Sequence, residues 1–177
     1  MRLKVLSIFE FDEFAKNHPL GTFTQSSSYG MLMSERGYDY ELIGMVDEND
    51  TIVAASLILV KKIGLFSKYG YAPKGFLIDY SNIELLKKFV SLLRNRYYKK
   101  NFVFIKINPE ISIAEINKKG KEVSYEEAKV IEDSLISIGF KTNNKPTIKS
   151  IATIKNDIFS NLLNLSTILF IHNHLLY

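Results

Sequence analysis

The sequence contains no cysteine and no tryptophan, and it has only three histidines among its 177 residues. Without cysteine the chain can form no disulfide, bind no metal through thiolates and use no thiol as a nucleophile. The three histidines, His18, His172 and His174, are too few for ordinary zinc chemistry. We therefore expect neither a metal site nor a bound cofactor.

Long apolar runs are also missing, since no stretch approaches the roughly 18 residues that a membrane-spanning helix needs. Near the start of the chain, acids arrive at Glu10, Asp12 and Glu13 before an apolar core of the signal-peptide kind can form. With 9 glycines and 4 prolines, the composition argues against a linker-like or disordered chain. We expect one compact globular unit in the cytoplasm.

The charges are mixed, with 23 Lys and Arg against 19 Asp and Glu, and the formal net charge is +4. This excess would suit a polyanionic partner, but solvated surfaces also carry many lysines, so charge alone decides little. One predicted helix has a basic face that could contact a nucleic-acid backbone or could simply face solvent. Its residues are Lys87, Lys88, Arg94, Arg96, Lys99 and Lys100.

Apolar periodicity and turn formers predict the elements of the first half of the chain. They are a strand over residues 2–8, a helix from Phe9 to Asn17, a short helix from Gln25 towards Gly37, and a hairpin. The hairpin has strands from Tyr38 to Val46 and from Thr51 to Ile63. Its second strand is almost wholly apolar from Ile52 to Val60, which predicts a central position covered on both faces.

In the second half, Ser81-Asn82-Ile83-Glu84 has the pattern of a capping box and precedes an apolar stripe, predicting a helix to about Lys100. A strand from Phe102 to Ile107 should follow, ended by Asn108-Pro109. A second capping box, Ser124 to Glu127, predicts a helix that closes at Gly139. We expect a loop from Ile113 to Lys121 and a strand within Ile148 to Ile154. This order indicates an α+β fold with helices packed on a mainly antiparallel sheet.

The segment Tyr69 to Tyr80 reads Tyr-Gly-Tyr-Ala-Pro-Lys-Gly-Phe-Leu-Ile-Asp-Tyr. It resembles the signature of the Fem/Mur family of peptidoglycan aminoacyltransferases, a Tyr-Ala-Pro-basic-Gly-Pro run that leads to an Asp. Four further resemblances follow the order of the family. They are Gln25 with Tyr29-Gly30, Ile52-Val53-Ala54-Ala55, Ile105-Lys106-Ile107-Asn108-Pro109, and Pro146-Thr147-Ile148.

The resemblance implies a GNAT-like fold, that is, the fold of acyl-CoA N-acyltransferases, which the family carries in tandem. Residues 1–155 would then be the first domain. Residues 156–177 do not resemble a continuation of the family, and we expect them to be an aberrant or truncated tail, with the second domain missing. On this interpretation the chain alone is incomplete or inactive.

The family reaction implied is attack by an amine of a precursor peptide on the ester carbonyl of an aminoacyl-tRNA, which forms a new amide. The implied partners are the peptidoglycan precursor, as lipid II or a UDP-linked muropeptide, and aminoacyl-tRNA as co-substrate. Association with the inner face of the membrane would follow from the lipid-linked substrate. The protein would position the reactants, stabilise the oxyanion and handle one proton.

The resemblance makes Asp79 the candidate catalytic residue, which would orient or deprotonate the attacking amine. The alternative is an Asp that only caps or turns the chain. Lys74 lies between a proline, whose backbone is restricted, and a glycine, whose backbone is free to adopt unusual conformations. Its ammonium group could therefore be held at the place where a phosphate docks. The alternative is an ordinary exposed lysine in a turn.

Four more residues are candidate substrate-binding groups: Tyr71, Tyr29, Gln25 and Lys106. The tyrosines could bind a sugar, peptide or nucleotide by stacking and hydroxyl hydrogen bonds, or they could be core aromatics. Lys106 is the only charge in its strand, so it must meet an anion or reach solvent. The sequence departs from the family at Met33, where a Lys is usual, and at Phe76, where a Pro is usual, and both departures put precursor affinity in doubt.

Two other functions remain open. An acetyl-CoA-dependent N-acetyltransferase would share the fold, but such enzymes carry an Arg/Gln-x-x-Gly-x-Gly/Ala turn whose amides bind the pyrophosphate at a helix start, and this sequence has none. The second alternative is a non-catalytic module that binds the precursor without turnover.

Overall fold

The computed structural model describes residues 1–109, 112–116, 122–124, 126–142, 162–164 and 167–170. Its helices are α1 (Ile8–Asn17), α2 (Ser27–Ser34), α3 (Ile83–Tyr98) and α4 (Glu126–Ser137), and a 3-10 turn covers Phe23–Gln25. Its strands are β1 (Arg2–Val5), β2 (Asp39–Val46), β3 (Ile52–Ile63), β4 (Ser67–Ala72), β5 (Phe102–Ile107), β6 (Ser112–Ile116), β7 (Glu122–Ser124), β8 (Phe140–Thr142), β9 (Leu162–Asn164) and β10 (Thr167–Phe170).

Seven of these strands form one sheet in the order β1-β2-β3-β4-β5-β10-β8, and a smaller sheet has the order β7-β6-β9. The pair β4–β5 is parallel, and the other pairings described are antiparallel. The predicted α+β fold with a mainly antiparallel sheet is therefore confirmed. Strand β3 lies near the middle of the large sheet and is buried from Ala54 to Val60, as its apolar run predicts.

The large sheet has a core on each face, because successive residues of a strand point to opposite sides. On one face α3 packs through Leu86, Phe89, Val90, Leu93 and Tyr97. On the other face α1 and α2 cover the first strands, and their core includes Phe11, Ala15, Leu57 and Leu59. None of the helices within the described ranges has the length and apolar character needed to span a bilayer.

Helix ends agree only in part with the sequence patterns. Helix α1 begins at a capping box that the sequence patterns above did not include: Ser7 Oγ accepts from the Glu10 amide at 3.2 Å, and the Glu10 carboxylate accepts from the Ser7 amide at 2.8 Å. The cap predicted at Ser81 is wrong by one residue. Asn82 caps α3 by accepting from the Leu85 amide at 3.0 Å, because the Ser81 hydroxyl donates to Asp79 at 2.6 Å.

Other differences concern the second half of the chain. The loop expected from Ile113 to Lys121 contains strand β6, which pairs with β7 and β9. Strand β10 inserts between β5 and β8, so residues 167–170, assigned from sequence to a tail, lie within the large sheet. The strand expected within Ile148 to Ile154, the boundary at residue 155 and part of the capping box at Ser124 lie outside the described residues.

Candidate active site at the end of the parallel strands

The parallel strands β4 and β5 end side by side, with Ala72 opposite Ile107 as their last pair. Their carboxyl ends therefore lie at the same edge of the sheet, which is where α/β proteins commonly bind ligands. Beyond this edge β4 leads into the Pro73-Lys74-Gly75 turn and β5 leads into Asn108-Pro109. Two of the segments that carry the family resemblance thus leave the sheet at one place.

The turn after β4 holds Lys74 in an uncommon backbone conformation. The Gly75 amide donates to the Ala72 carbonyl at 3.1 Å, and Lys74 has a positive φ of 58°. A proline at the second place and a left-handed residue at the third are features of a type II turn, in which that third place usually takes Gly or Asn. A lysine there is strained by about 1 kcal/mol or more, and this backbone sets the direction in which the Cα–Cβ bond of the half-buried Lys74 leaves the turn.

Gly75 brings the two segments into contact. A Cβ atom built on Gly75 would lie 2.7 Å from the Pro109 Cα and 2.6 Å from the Tyr80 hydroxyl oxygen. That hydroxyl accepts the Phe76 amide at 2.8 Å. Complete burial raises the pKa of the Tyr80 hydroxyl far above its usual value, so it stays protonated. Tyr80 and Pro109 therefore pack against the turn and leave no room for a side chain at position 75.

Gln25 fixes the turn from the neighbouring layer. Its side chain is fully buried; its Nε2 donates to the carbonyl oxygens of Pro73 at 2.6 Å and Gly75 at 3.0 Å, and its Oε1 accepts the Leu57 amide at 2.8 Å. All of these partners are backbone groups. The geometry therefore gives Gln25 a positioning role under Lys74, and direct substrate binding by Gln25 stays a prediction.

The Ile52 to Ala55 segment also reaches the site. Ala55 and Leu77 form a short antiparallel bridge, in which the Ala55 amide donates to Leu77 at 3.0 Å and the Leu77 amide donates to Ala55 at 2.8 Å. This bridge anchors the chain that leads from the turn to α3. Four of the five segments singled out from sequence thus meet around one loop, and the fifth, Pro146-Thr147-Ile148, lies outside the described residues.

Asp79 lies at the far end of that loop, exposed to solvent. Its carboxylate accepts from the Ser81 hydroxyl at 2.6 Å and from the Ser81 amide at 2.9 Å. These bonds, with smaller effects from the Asn82 amide and His18, hold the pKa of Asp79 below its ordinary value of 3.8. Asp79 is thus a charged carboxylate that also forms an Asx turn, which is the geometry of the structural alternative.

His18 is a neighbour of Asp79 that sequence reasoning missed. Burial lowers the pKa of its imidazole, and the Asp79 charge offsets this only in part. Its Nδ1 accepts the Leu20 amide at 3.1 Å, so the neutral ring carries its proton on Nε2. No periodicity or motif connects residues 18 and 79, and only the fold brings them together.

An aromatic surface flanks the turn on the α1 and α2 face of the sheet. Tyr71 pairs in register with Lys106, so both half-buried side chains share this face. Burial, followed by the nearby hydroxyls of Tyr29 and Tyr38, raises the pKa of Tyr71. Tyr71 thus lies beside Lys106 in the sheet and close to the Tyr29 hydroxyl, and the binding roles of the three residues stay predictions.

Met33 packs with this apolar cluster from α2, at the place where the family usually has a lysine. The site therefore has no cation at that position. Within the ranges described, no group of three or more His, Asp or Glu side chains is arranged to hold a metal ion.

Comparisons with known proteins identify relatives of this chain. The aminoacyltransferase FemA of Staphylococcus aureus (strain bovine RF122 / ET3-1) is 27% identical over 141 residues, which cover 80% of this chain and 34% of FemA. The crystal structure of FemX matches with a TM-score of 0.67 at 22% identity, covering 85% of this chain and 35% of FemX. This chain therefore spans about a third of the length of these relatives.

A spermidine N-acetyltransferase, the SpeG chimera from Vibrio cholerae and hSSAT, matches with a TM-score of 0.60 at 8% identity and covers 96% of both chains. At this identity the likeness establishes the fold alone, which is that of the GNAT acyltransferases. The sequence profile of the FemAB family matches residues 6–167, nearly the whole chain. Together with the four converging segments, this match shows that the chain belongs to the FemAB family.

Proposed function

We propose that this chain forms the first acyltransferase-type domain of an enzyme that transfers an amino acid from aminoacyl-tRNA to the stem peptide of a peptidoglycan precursor. The observation that supports this most strongly is the meeting of Gln25, the Lys74 turn, Leu77 and Pro109 at the ends of β4 and β5. Such convergence of distant segments is expected where binding groups must be held rigidly.

In the proposed reaction an amine nitrogen of the stem peptide attacks the ester carbonyl carbon of the aminoacyl-tRNA. A C–N bond forms, the C–O bond to the tRNA ribose breaks, the amine loses a proton and the ribose oxygen takes one up. The activated ester supplies the driving force. The domain mainly positions the reactants, which can account for about 7–11 kcal/mol of a barrier.

Lys74 is the proposed contact for a precursor phosphate, because its strained turn places a lysine at the edge of the sheet, where its ammonium group can meet a phosphate. Tyr71 and Lys106 would bind the adjoining part of the precursor on the same face. Asp79 would hold the amine as its ammonium ion in the bound state, and this ion must release one proton to solvent before its nitrogen attacks the ester. The lowered pKa of Asp79 makes it a weak base, so orientation suits this carboxylate better than deprotonation does.

An acetyl-CoA enzyme would need free amides at the start of α3 to bind pyrophosphate. Here the Asp79 carboxylate accepts a hydrogen bond from the Ser81 amide, and the Asn82 side chain accepts one from the Leu85 amide. A negative charge thus already lies where the pyrophosphate would dock. This arrangement favours the aminoacyl-transfer function over acetyl transfer.

The test is calorimetric binding of a soluble UDP-linked muropeptide and, separately, of acetyl-CoA. We expect the muropeptide to bind, Lys74→Ala to weaken it about tenfold through loss of one charge-assisted contact, and Lys88→Ala, an exposed lysine of α3, to leave it unchanged. Binding of acetyl-CoA without muropeptide binding would reject the proposal. A second experiment adds lipid-linked precursor and charged tRNA and measures the mass of the stem peptide by mass spectrometry. A transferase increases this mass by one amino acid, whereas a module that only binds leaves it unchanged.

A further inference from the structure

The hairpin between β3 and β4 carries apolar side chains that no other part of the described structure covers. Leu65 is 90% exposed, Phe66 is 81% exposed and Ile63 is 44% exposed. Exposed leucine and phenylalanine side chains at adjacent positions are unusual on a soluble surface, and such patches commonly mark a contact with a protein or a membrane.

This hairpin projects beyond the body of the sheet. Strand β2 begins at Asp39 opposite Val60, so the last three residues of β3 have β4 as their only neighbouring strand in the described structure. Three residues of strand extend about 10 Å. We call residues 61–68 the projecting hairpin. Leu65 and Phe66 at its tip belong to neither core cluster of the described residues.

The charges of the projecting hairpin are all positive. It reads Lys-Lys-Ile-Gly-Leu-Phe-Ser-Lys and has no acid. Lys62 and Lys68 are directly opposite each other in the β3–β4 register, and like charges so placed repel. In the part of the chain that the structure describes, neither makes an ion pair with a carboxylate, while the Lys61 ammonium lies 4.5 Å from the centre of the Tyr38 ring.

We propose that the projecting hairpin docks on an anionic lipid bilayer, with Leu65 and Phe66 inserted among the headgroups and acyl chains and with Lys62 and Lys68 on lipid phosphates. Apolar tips ringed by lysines have the two attractions that hold peripheral proteins on membranes, apolar burial and attraction to anionic lipid. Anionic headgroups would also relieve the repulsion between the two lysines. A protein partner would need acids placed around an apolar pocket, whereas a bilayer supplies both features without shape matching.

The position of the hairpin adds a consequence for substrate access, and this step alone rests on the proposed function. Strand β4 runs from Ser67 beside the tip to Ala72 at the candidate site, and its six residues extend about 20 Å. A fully extended pentapeptide spans about 17 Å. A stem peptide on a lipid-linked precursor in the same bilayer would thus span most of the distance to the candidate site, while its diphosphate would stay near the bilayer, so the phosphate contact of Lys74 applies to the soluble UDP-linked precursor.

Co-sedimentation with vesicles tests the bilayer contact without any precursor, so its failure is separate from failure of the proposed function. We expect the chain to bind vesicles of phosphatidylglycerol and phosphatidylcholine, to bind phosphatidylcholine alone much less, and to be released by salt. The double variant Leu65→Ser, Phe66→Ser should bind about tenfold less. The control is Phe9→Ser, since Phe9 is 76% exposed on α1, and it should bind as the wild type does.

The charge arm compares Lys62→Gln, Lys68→Gln with Lys87→Gln, Lys88→Gln, which removes the same charge from α3. Only the first pair should reduce binding, by about tenfold at low salt. Because the chain has no cysteine, Leu65→Cys can carry a single polarity-sensitive dye, whose emission should shift to the blue on anionic vesicles.

Absence of vesicle binding, equal loss in the control variants, or sedimentation without a dye shift would overturn the proposal. The proposal also fails if light scattering shows that Leu65 and Phe66 join two copies of the chain and no vesicles are bound.

Discussion

Gly75 lies directly against Pro109, and a single Cβ atom at position 75 would approach the Pro109 Cα to 2.7 Å. This contact joins the turn after β4 to the end of β5. It requires glycine for two independent reasons, since Gly75 also has a positive φ of 79°. The relationship explains why a glycine must follow the lysine of the turn, and it makes position 75 a sensitive test of the site geometry.

Gly75→Ala should lower the free energy of unfolding by about 3 kcal/mol, from the left-handed backbone and the overlap with Pro109 together. Gly37→Ala is the matched control, because Gly37 has a φ of 78° and nothing within 4 Å of a Cβ atom. It should lose only about 1 kcal/mol. Urea unfolding measures both, and equal losses would show that the contact with Pro109 has no energetic weight.

Gln25→Leu should also destabilise the fold, by about 3 kcal/mol, because it leaves the Leu57 amide and the Pro73 and Gly75 carbonyls buried without their partner. Muropeptide affinity should fall as well, since the turn beneath Lys74 loses its support. The control is Asn17→Leu, an exposed amide at the end of α1, which should cost less than about 1 kcal/mol. An unchanged urea midpoint for Gln25→Leu would refute the positioning role.

Local patterns predicted most of the elements that flank the site. The alternation and apolar runs predicted β2, β3 and β5 nearly to the residue, and the stripe through Leu86, Val90 and Leu93 predicted the buried face of α3. These signals depend on neighbouring residues alone. They can therefore be recognised from the sequence without knowledge of the fold.

Contacts between distant residues could not be predicted in this way. The parallel pairing of β4 with β5, the insertion of β10 and the approach of His18 to Asp79 depend on the path of the whole chain. The start of α3 shows the same limit at short range. Ser81 fits the capping pattern, yet its hydroxyl donates a hydrogen bond to Asp79, two residues earlier. Asn82 therefore caps the helix instead.

Asp79→Asn separates the two roles of Asp79. An amide oxygen can accept from the Ser81 amide and hydroxyl as the carboxylate does, so stability should change by less than about 0.5 kcal/mol. Muropeptide affinity should drop, because the ammonium loses its counter-charge. Asp79→Ala, which removes the turn as well, should reduce stability and affinity together.

The pH dependence gives a second readout for Asp79. The bonds from Ser81 hold its pKa below 3.8, so its charge, and the stability that the Asx turn contributes, should be complete above that value. Both should be lost as the pH falls through the lowered pKa. Muropeptide titrations at decreasing pH check this, with Asp79→Asn as the control that should lack this part of the pH dependence. A wild-type affinity that already falls near neutral pH would contradict the assignment.

Lys74→Gly should make the protein more stable while it weakens substrate binding. Lys74 holds a left-handed backbone with a φ of 58°, and glycine adopts that conformation without the clash of a Cβ atom, so unfolding should cost up to about 1 kcal/mol more. The lost ammonium should reduce muropeptide affinity about tenfold.

Asn101→Gly is the control, since Asn101 has a φ of 59° but asparagine tolerates it, and both stability and affinity should stay near wild type. Stability and affinity moving in opposite directions is the signature of strain kept for function. If Lys74→Gly instead lowers both, the lysine holds the turn through its own contacts and the phosphate-binding role fails.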